Sequence, residues 1–365
     1  MPIELAPRSR LATPVRLALG AGLAIFVGSN LTFASTALAG LTHVALLPAA
    51  IGVGLSIVAM ANRGELNRAA HQAAGLVVEP VAMTKTAAVS FAANKIVKSG
   101  GASGLAILVR HGKRRGLPSG TVAAACVLAA ASSFAALGVL LTSTVIILAA
   151  TGQLTGWWLA AAGGFGLHSV GVLTAGYAAV RSRPRALRSW CWVQRSYARI
   201  RRRPPNQTDA SVVDELYDAL ALARCRPHWT GRMVGHAIAS KALGALMLMA
   251  ATHAAGAPIS VASAIVIYAT ALAASLVSII PAGVGVVEAS TGAMLIGIGI
   301  PLPVAALSVA LFRIFDLWLP VVAGAFIGRK DFESETEGIS TRPPTDVDQA
   351  WPGAAAVLDG ALVMR

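Results

Sequence analysis

Three ionisable side chains, Glu288, Arg313 and Asp316, stand in otherwise apolar sequence close to a helix-breaking run, Ile280-Pro281-Ala282-Gly283-Val284-Gly285. A charge in the hydrocarbon region costs about 2.5–3.5 kcal/mol on insertion scales, so it faces a protein interior or a water-filled cavity. Irregular backbone at that depth is tolerated only where protein or water satisfies its polar groups. Pro281 lacks an N–H, and Gly283 and Gly285 adopt backbone angles that other residues avoid. These residue types point to a polar site near the middle of a bilayer.

The charge inventory says what such a site would hold. No acidic residue occurs from Pro80 to Thr208, and beyond that the apolar region contains only Glu288 and Asp316. Against them stand Lys85, Lys95, Lys98, Lys241 and Arg313. The balance favours an anionic guest such as a phosphate headgroup, which Arg meets with a planar fork and Lys with a point charge. The breaks at Gly100-Gly101 and at Gly283 to Gly285 could also turn backbone N–H groups toward an anion. The candidate substrate-binding residues are Asn94, Lys98, Gly100, Gly101, Lys241, Pro281, Gly283, Gly285, Glu288, Arg313 and Asp316. Plainer readings stay open. Arg313 and Asp316 are three apart on one helix face and could neutralise each other. Glu288 could be a structural tie to Lys241 or Arg313. Asn94 could cap a broken helix end, Lys85 could snorkel to the interface, and His168 and His236 read as packing residues.

Catalytic signatures are missing. The chain has no Gly-x-Ser-x-Gly, no Walker Gly-Lys-Ser/Thr and no His-Glu-x-x-His. Its spans carry no paired aspartates to hold Mg²⁺. The nearest acidic group, Asp214-Glu215-x-x-Asp218, reads as the surface charge of a short helix. Cys126, Cys191 and Cys225 form no Cys-x-x-Cys and are expected to be unpaired. No enzymatic activity, cofactor or metal is therefore expected.

The elements that must position these residues are transmembrane helices. The 365 residues are 56% hydrophobic and 13% charged, against about 25% charged in a soluble domain. Apolar stretches near the spanning length recur at 17–38, 41–61, 119–150, 155–180, 233–254, 260–280 and 302–327. The fold class is all-α, a polytopic helical bundle. Net charge is +14, and eleven Arg fall in 182–232, whereas the connections near 36–42, 151–156 and 254–259 have no Lys or Arg. By the positive-inside rule the basic loops and both termini are cytoplasmic. This topological reading displaces a nucleic-acid one, and no nucleic-acid partner is expected. The N-terminal apolar run reads as an uncleaved first span rather than a signal peptide. Residues 1–330 form one membrane domain, with 182–232 as a basic cytoplasmic loop. Within that loop 209–224 reads as an amphipathic helix with Val212, Leu216, Leu220 and Leu222 on its apolar side. Residues 331–365 read as a disordered acidic tail.

Two segments, 81–118 and 270–301, break the helix pattern. Shifted by 183 positions, Gly100 falls on Gly283, Gly116 on Gly299 and Pro118 on Pro301. Charge bias gives the spans that follow them opposite directions. The two would be hairpins of an inverted repeat, re-entrant or fully spanning, one opening from the cytoplasm and one from outside. Transporters are often built this way, with interrupted segments meeting at a midplane site.

The run Ile280 to Glu288, then Gly297-Ile298-Gly299-Ile300-Pro301, Leu311-Phe312-Arg313 and Leu319-Pro320-Val321-Val322-Ala323-Gly324, resembles the lysylphosphatidylglycerol synthase transmembrane-region family, which comprises flippase-like domains. Asn94, Gly100-Gly101 and the basic stretch Arg110 to Arg115 are similar to its first half. Lys98-Ser99-Gly100 stands where members often carry a proline. The resemblance implies a multi-pass bacterial or archaeal plasma-membrane protein that moves an aminoacylated or other polar lipid between leaflets. Only 331–365 follow the last span, so the soluble aminoacyl-transfer domain, and lysine transfer from tRNA, are not expected. The expected function is a flippase-like transporter of a phospholipid, an aminoacyl-phospholipid or a lipid-linked glycan. Arg313 and nearby lysines would hold the headgroup, with Glu288 and Asp316 positioning those cations or balancing an aminoacyl or proton charge. Partners would be membrane lipids and an envelope-biosynthesis enzyme. A membrane-embedded transferase, or a non-catalytic scaffold docking through 182–232, are the competing readings.

Overall fold

The computed structural model describes residues 44–96, 101–152, 171, 210–277 and 281–339. The expected spans at 17–38 and 155–180, Lys98, Gly100 and most of the basic loop lie outside the described residues. What is described is helical throughout: α1 (Leu46–Ala73), α2 (Pro80–Ile96), α3 (Ala102–Arg114), α4 (Ser119–Ala150), α5 (Ala210–Arg224), α6 (Pro227–Ala254), α7 (Val261–Val277), a 3₁₀ turn (Pro281–Gly283), α8 (Val286–Gly297), α9 (Leu302–Arg313), a π-helical segment (Ile314–Trp318) and α10 (Leu319–Ile339).

Four stretches among the described residues are long and apolar enough to cross a bilayer: Leu46–Ala73, Ser119–Ala150, Pro227–Ala254 and Leu302–Arg329. A helix of 28 residues is about 42 Å long and exceeds a hydrocarbon core of about 30 Å. Their outer faces are apolar: Ile51, Ile57, Ile146 and Phe326 are all more than half exposed. A soluble protein would bury such residues, whereas lipid solvates them. The interior is assembled from Leu248, Ile267, Phe312 and Phe315 among many alanines. Small residues let backbones meet, as where α10 crosses α2: a Cβ on Gly324 would run into the Ala88 carbonyl.

Helix α1 lies antiparallel to α6, and Ala45 N–H donates to Ala254 O at 2.9 Å. At the opposite end Arg226 Nη1 donates to Gln72 O at 2.9 Å, and Gly120 N–H, at the start of α4, donates to Glu215 Oε2 of α5 at 2.9 Å. That end gathers Arg68, Lys113, Arg114, Arg115, Arg224, Arg226 and Arg232, while residues 44–50, 147–152, 251–261 and 297–302 at the other end carry no Lys or Arg. The bundle is thus polarised along its axis.

The repeat is visible element by element. Helices α1 and α6 have 28 residues each, and α2 and α7 have 17 each. Helices α3 and α8 close with the same pair of bonds. Gly116 N–H donates to Lys113 O and Leu117 N–H to Gly112 O, while Gly299 N–H donates to Ile296 O and Ile300 N–H to Leu295 O. Both glycines have positive φ, 71° and 92°. Pro118 and Pro301 then start α4 and α9 in extended conformation. The hairpin α2–α3 leaves from and returns to the basic end, and α7–α8 leaves from and returns to the bare end. Helix α2 is about 25 Å long and α8 about 18 Å, each shorter than a hydrocarbon core of about 30 Å.

Two boundaries and one helix face differ from expectation. Helix α1 runs to Ala73 rather than ending near 61, because packing against α5 and α6 continues beyond the apolar stretch. The last helix runs to Ile339, beyond the expected boundary at 330, through a stretch with three glutamates, the good helix formers among its residues; residues 340–365 lie outside the described ones. Helix α5 buries Val213, Ala219, Leu220 and Ala223, with Leu216 packed beside them. Leu222 stays exposed, since a 3.6-residue repeat puts 213, 216, 220 and 223 on one face.

Candidate functional site

The break in the second hairpin has a defined shape. Ala282, Gly283 and Gly285 all have positive φ, at 55°, 64° and 88°. For Ala282 this costs about 1 kcal/mol, so something must hold it. That role falls to Arg313, which is 5% exposed. Its Nη2 donates to Ala282 O at 3.0 Å, and its Nε donates to Glu288 Oε1 at 2.7 Å. The other oxygen of Glu288 accepts from Gly285 N–H at 2.7 Å, capping α8. One ion pair therefore ties α9, the 3₁₀ turn and the start of α8. Of the open readings for Glu288, the structural tie to Arg313 is the one formed. In the first hairpin Asn94 does the capping: its Oδ1 accepts from Ser103 Oγ and Gly104 N–H, both at 2.8 Å. Gly101 is the left-handed N-cap of α3 and is exposed.

Arg313 and Asp316 do not neutralise each other. The π-helical segment adds a residue to the turn between them and sends Asp316 elsewhere. Ser56 Oγ of α1 donates to Phe315 O at 2.7 Å, satisfying a carbonyl of the widened turn. Asp316 instead acts electrostatically on Arg63 of α1, Lys241 of α6 and Tyr268 of α7. Lys95 of α2 acts on Lys241 as well. Arg63 and Lys95 share one aromatic ring: Arg63 Cζ lies 4.0 Å and Lys95 Nζ 5.2 Å from the centre of Phe91.

The frame around this group is rigid. Asn62 Nδ2 donates to His236 O at 2.9 Å and to Ser240 Oγ at 2.8 Å, and its Oδ1 accepts a hydrogen bond from His236 Nδ1 at 2.7 Å. These bonds lock α1 to α6, and the next residue on each helix is Arg63 or Lys241. Lys241 sits about 20 Å from either end of α6, at mid-depth. Arg63 Nη1 is buried without a hydrogen-bond partner. Neither Arg63 nor Lys241 makes an ion pair with Asp316, so the charges face one another without touching.

The expected site residues thus divide. Glu288, Arg313, Pro281, Gly283 and Gly285 build the hairpin, Asn94 and Gly101 build the other hairpin, and Lys241 and Asp316 join an interior charge group. Lys85 is exposed. Arg63 and Phe91 escape the sequence reading; the available signal is an arginine two residues past the apolar stretch that ends at 61. Glu215, part of the acidic trio 214–218, is engaged at the N-terminus of α4.

No curated protein matches the chain at a significant level. A family model described as the lysylphosphatidylglycerol synthase TM region matches residues 14–324, spanning both hairpins, the tie at Arg313 and the interior charge group. The chain belongs to the lysylphosphatidylglycerol synthase transmembrane-region family.

Proposed function

We propose that the chain is a flippase-like transporter that moves a polar or anionic lipid between the leaflets of the plasma membrane, and that it has no catalytic activity of its own. The observation that carries this reading is the mid-depth charge group of Arg63, Lys95, Lys241 and Asp316, with the guanidinium of Arg63 incompletely bonded. Buried charge of this kind is expensive in a bilayer and marks a pathway for a polar solute. Two hairpins that enter from opposite ends support it, since they offer each leaflet an approach to one interior site. Only the headgroup would leave water, while the acyl chains stay in lipid. The basic end faces the cytoplasm on this reading, in keeping with the positive-inside rule.

The test is transbilayer movement of fluorescent phospholipids in proteoliposomes, read by back-extraction. Wild type should exceed protein-free vesicles, and Asp316→Asn should slow movement without loss of membrane insertion. Rates equal to empty vesicles for every headgroup tried would sink the proposal.

A further inference from the structure

The charge group also carries information about which headgroup it accepts, an inference that rests on the transport reading above. Arg63 of α1 and Lys241 of α6 lie within electrostatic reach of one carboxylate, Asp316 of the π-helical segment, and Lys95 of α2 shares the Phe91 ring with Arg63. The second carboxylate of the region, Glu288, is engaged on both oxygens by Arg313 and Gly285. The described interior therefore holds an excess of positive charge and one uncommitted acid. Arg63 Nη1 is a buried donor awaiting an acceptor. Its guanidinium is held over Phe91, and its helix is fixed to that of Lys241 through Asn62 and Ser240. A donor so oriented is preorganised for an oxygen of a phosphate.

We propose that Arg63 and Lys241 form a binding site for the phosphate of a net-anionic lipid headgroup, and that the site discriminates against headgroups carrying a lysine ester. A lysyl ester brings two ammonium groups. One could approach Asp316; the other would add like charge beside Arg63 and Lys241. A phosphate with no added amine supplies the acceptor that Arg63 lacks and lowers the local excess of charge. Asp316 then keeps the anion from binding too tightly to leave.

The experiment uses the full chain in detergent, with native mass spectrometry to count bound lipids. The probes are phosphatidylglycerol, phosphatidic acid, lysylphosphatidylglycerol and inorganic phosphate. Phosphatidylglycerol and phosphatidic acid should be retained in preference to the lysyl ester by about tenfold or more, the scale of a single unit-charge repulsion across about 12 Å at an effective dielectric near 20. Arg63→Gln combined with Lys241→Gln should abolish that preference. Arg63→Lys, which keeps the charge, should retain most of it, and a size-exclusion profile matching wild type separates loss of the site from misfolding. Equal or stronger retention of the lysyl ester overturns the proposal. Binding of inorganic phosphate with no retention of either anionic lipid overturns the lipid assignment. Selective binding without transbilayer movement leaves the selectivity standing and overturns the transport reading instead.

Discussion

Glu288 and Arg313 offer a double-variant test whose outcome follows from their geometry. Arg313→Gln leaves the Glu288 carboxylate without its cation; its side chain is 19% exposed and still holds Gly285 N–H. Losing one partner of a buried pair costs about 3–5 kcal/mol, and the residual exposure and cap put this variant near the lower figure. Glu288→Gln is worse, because the Arg313 guanidinium, 6% exposed, is left with only Ala282 O. The double variant removes both charges. The amide oxygen at position 288 can still accept from Gly285 N–H, and the amide at position 313, which reaches only as far as Arg313 Nε, can bond to the amide at position 288, so that Ala282 O alone loses its donor. The deficit should therefore shrink to about 1 kcal/mol, the lower end for an acceptor that loses its partner. Thermal unfolding midpoints in detergent should place both single variants well below wild type and the double variant close to it. Lipid movement should return with stability, because the pair is saturated by the hairpin itself. A double variant no more stable than the worse single variant would refute the structural tie. A stable double variant that moves no lipid would show that the pair handles the headgroup directly.

Gly324→Val should destabilise the bundle by about 2 kcal/mol or more, since the added atoms run into the Ala88 carbonyl and overpacking costs of this order are usual; the unfolding midpoint in detergent measures it. Ser56→Ala strips the donor from Phe315 O and should cost about 1–3 kcal/mol as a buried acceptor loses its partner, again visible in the midpoint. Glu215→Ala removes the cap on α4 and should loosen α5 by about 1 kcal/mol, read as faster thiol labelling of the exposed Cys225 at its end. In intact cells Cys225 should resist an impermeant reagent added from outside, and rapid labelling there would reverse the orientation proposed for the basic end.

Much of the frame is legible because its signals are local. The stretch 119–150 coincides with α4, and the glycines and prolines at 116, 118, 299 and 301 mark matching ends in the two halves. Pro281, Gly283 and Gly285 announce an interrupted helix, since few other residues serve at positive φ. Ala282 at φ 55° is not legible; its conformation depends on Arg313, distant in sequence. Arg63 reads as the beginning of a cytoplasmic stretch because charges thicken from there, yet α1 continues and carries it inside. The π-helical segment leaves no trace, as Ile-Phe-Asp-Leu-Trp contains neither proline nor glycine. Which acid meets which cation is therefore beyond the reach of sequence: Arg313 finds Glu288, and Asp316 is turned toward Lys241 and Arg63.

The π-helical segment has a consequence for how this chain tolerates length changes. A π turn holds one residue more than the α turn it replaces, so the extra residue is absorbed where the turn widens and the helix beyond it keeps its place. Deleting one residue between Ile314 and Trp318 would therefore restore an unbroken α-helix and leave Gly324 against Ala88. What it would remove is the widened turn itself, with the Phe315 carbonyl that Ser56 satisfies and the direction in which Asp316 is sent. A shorter and more regular helix would pack as before and lose the aim of its interior carboxylate.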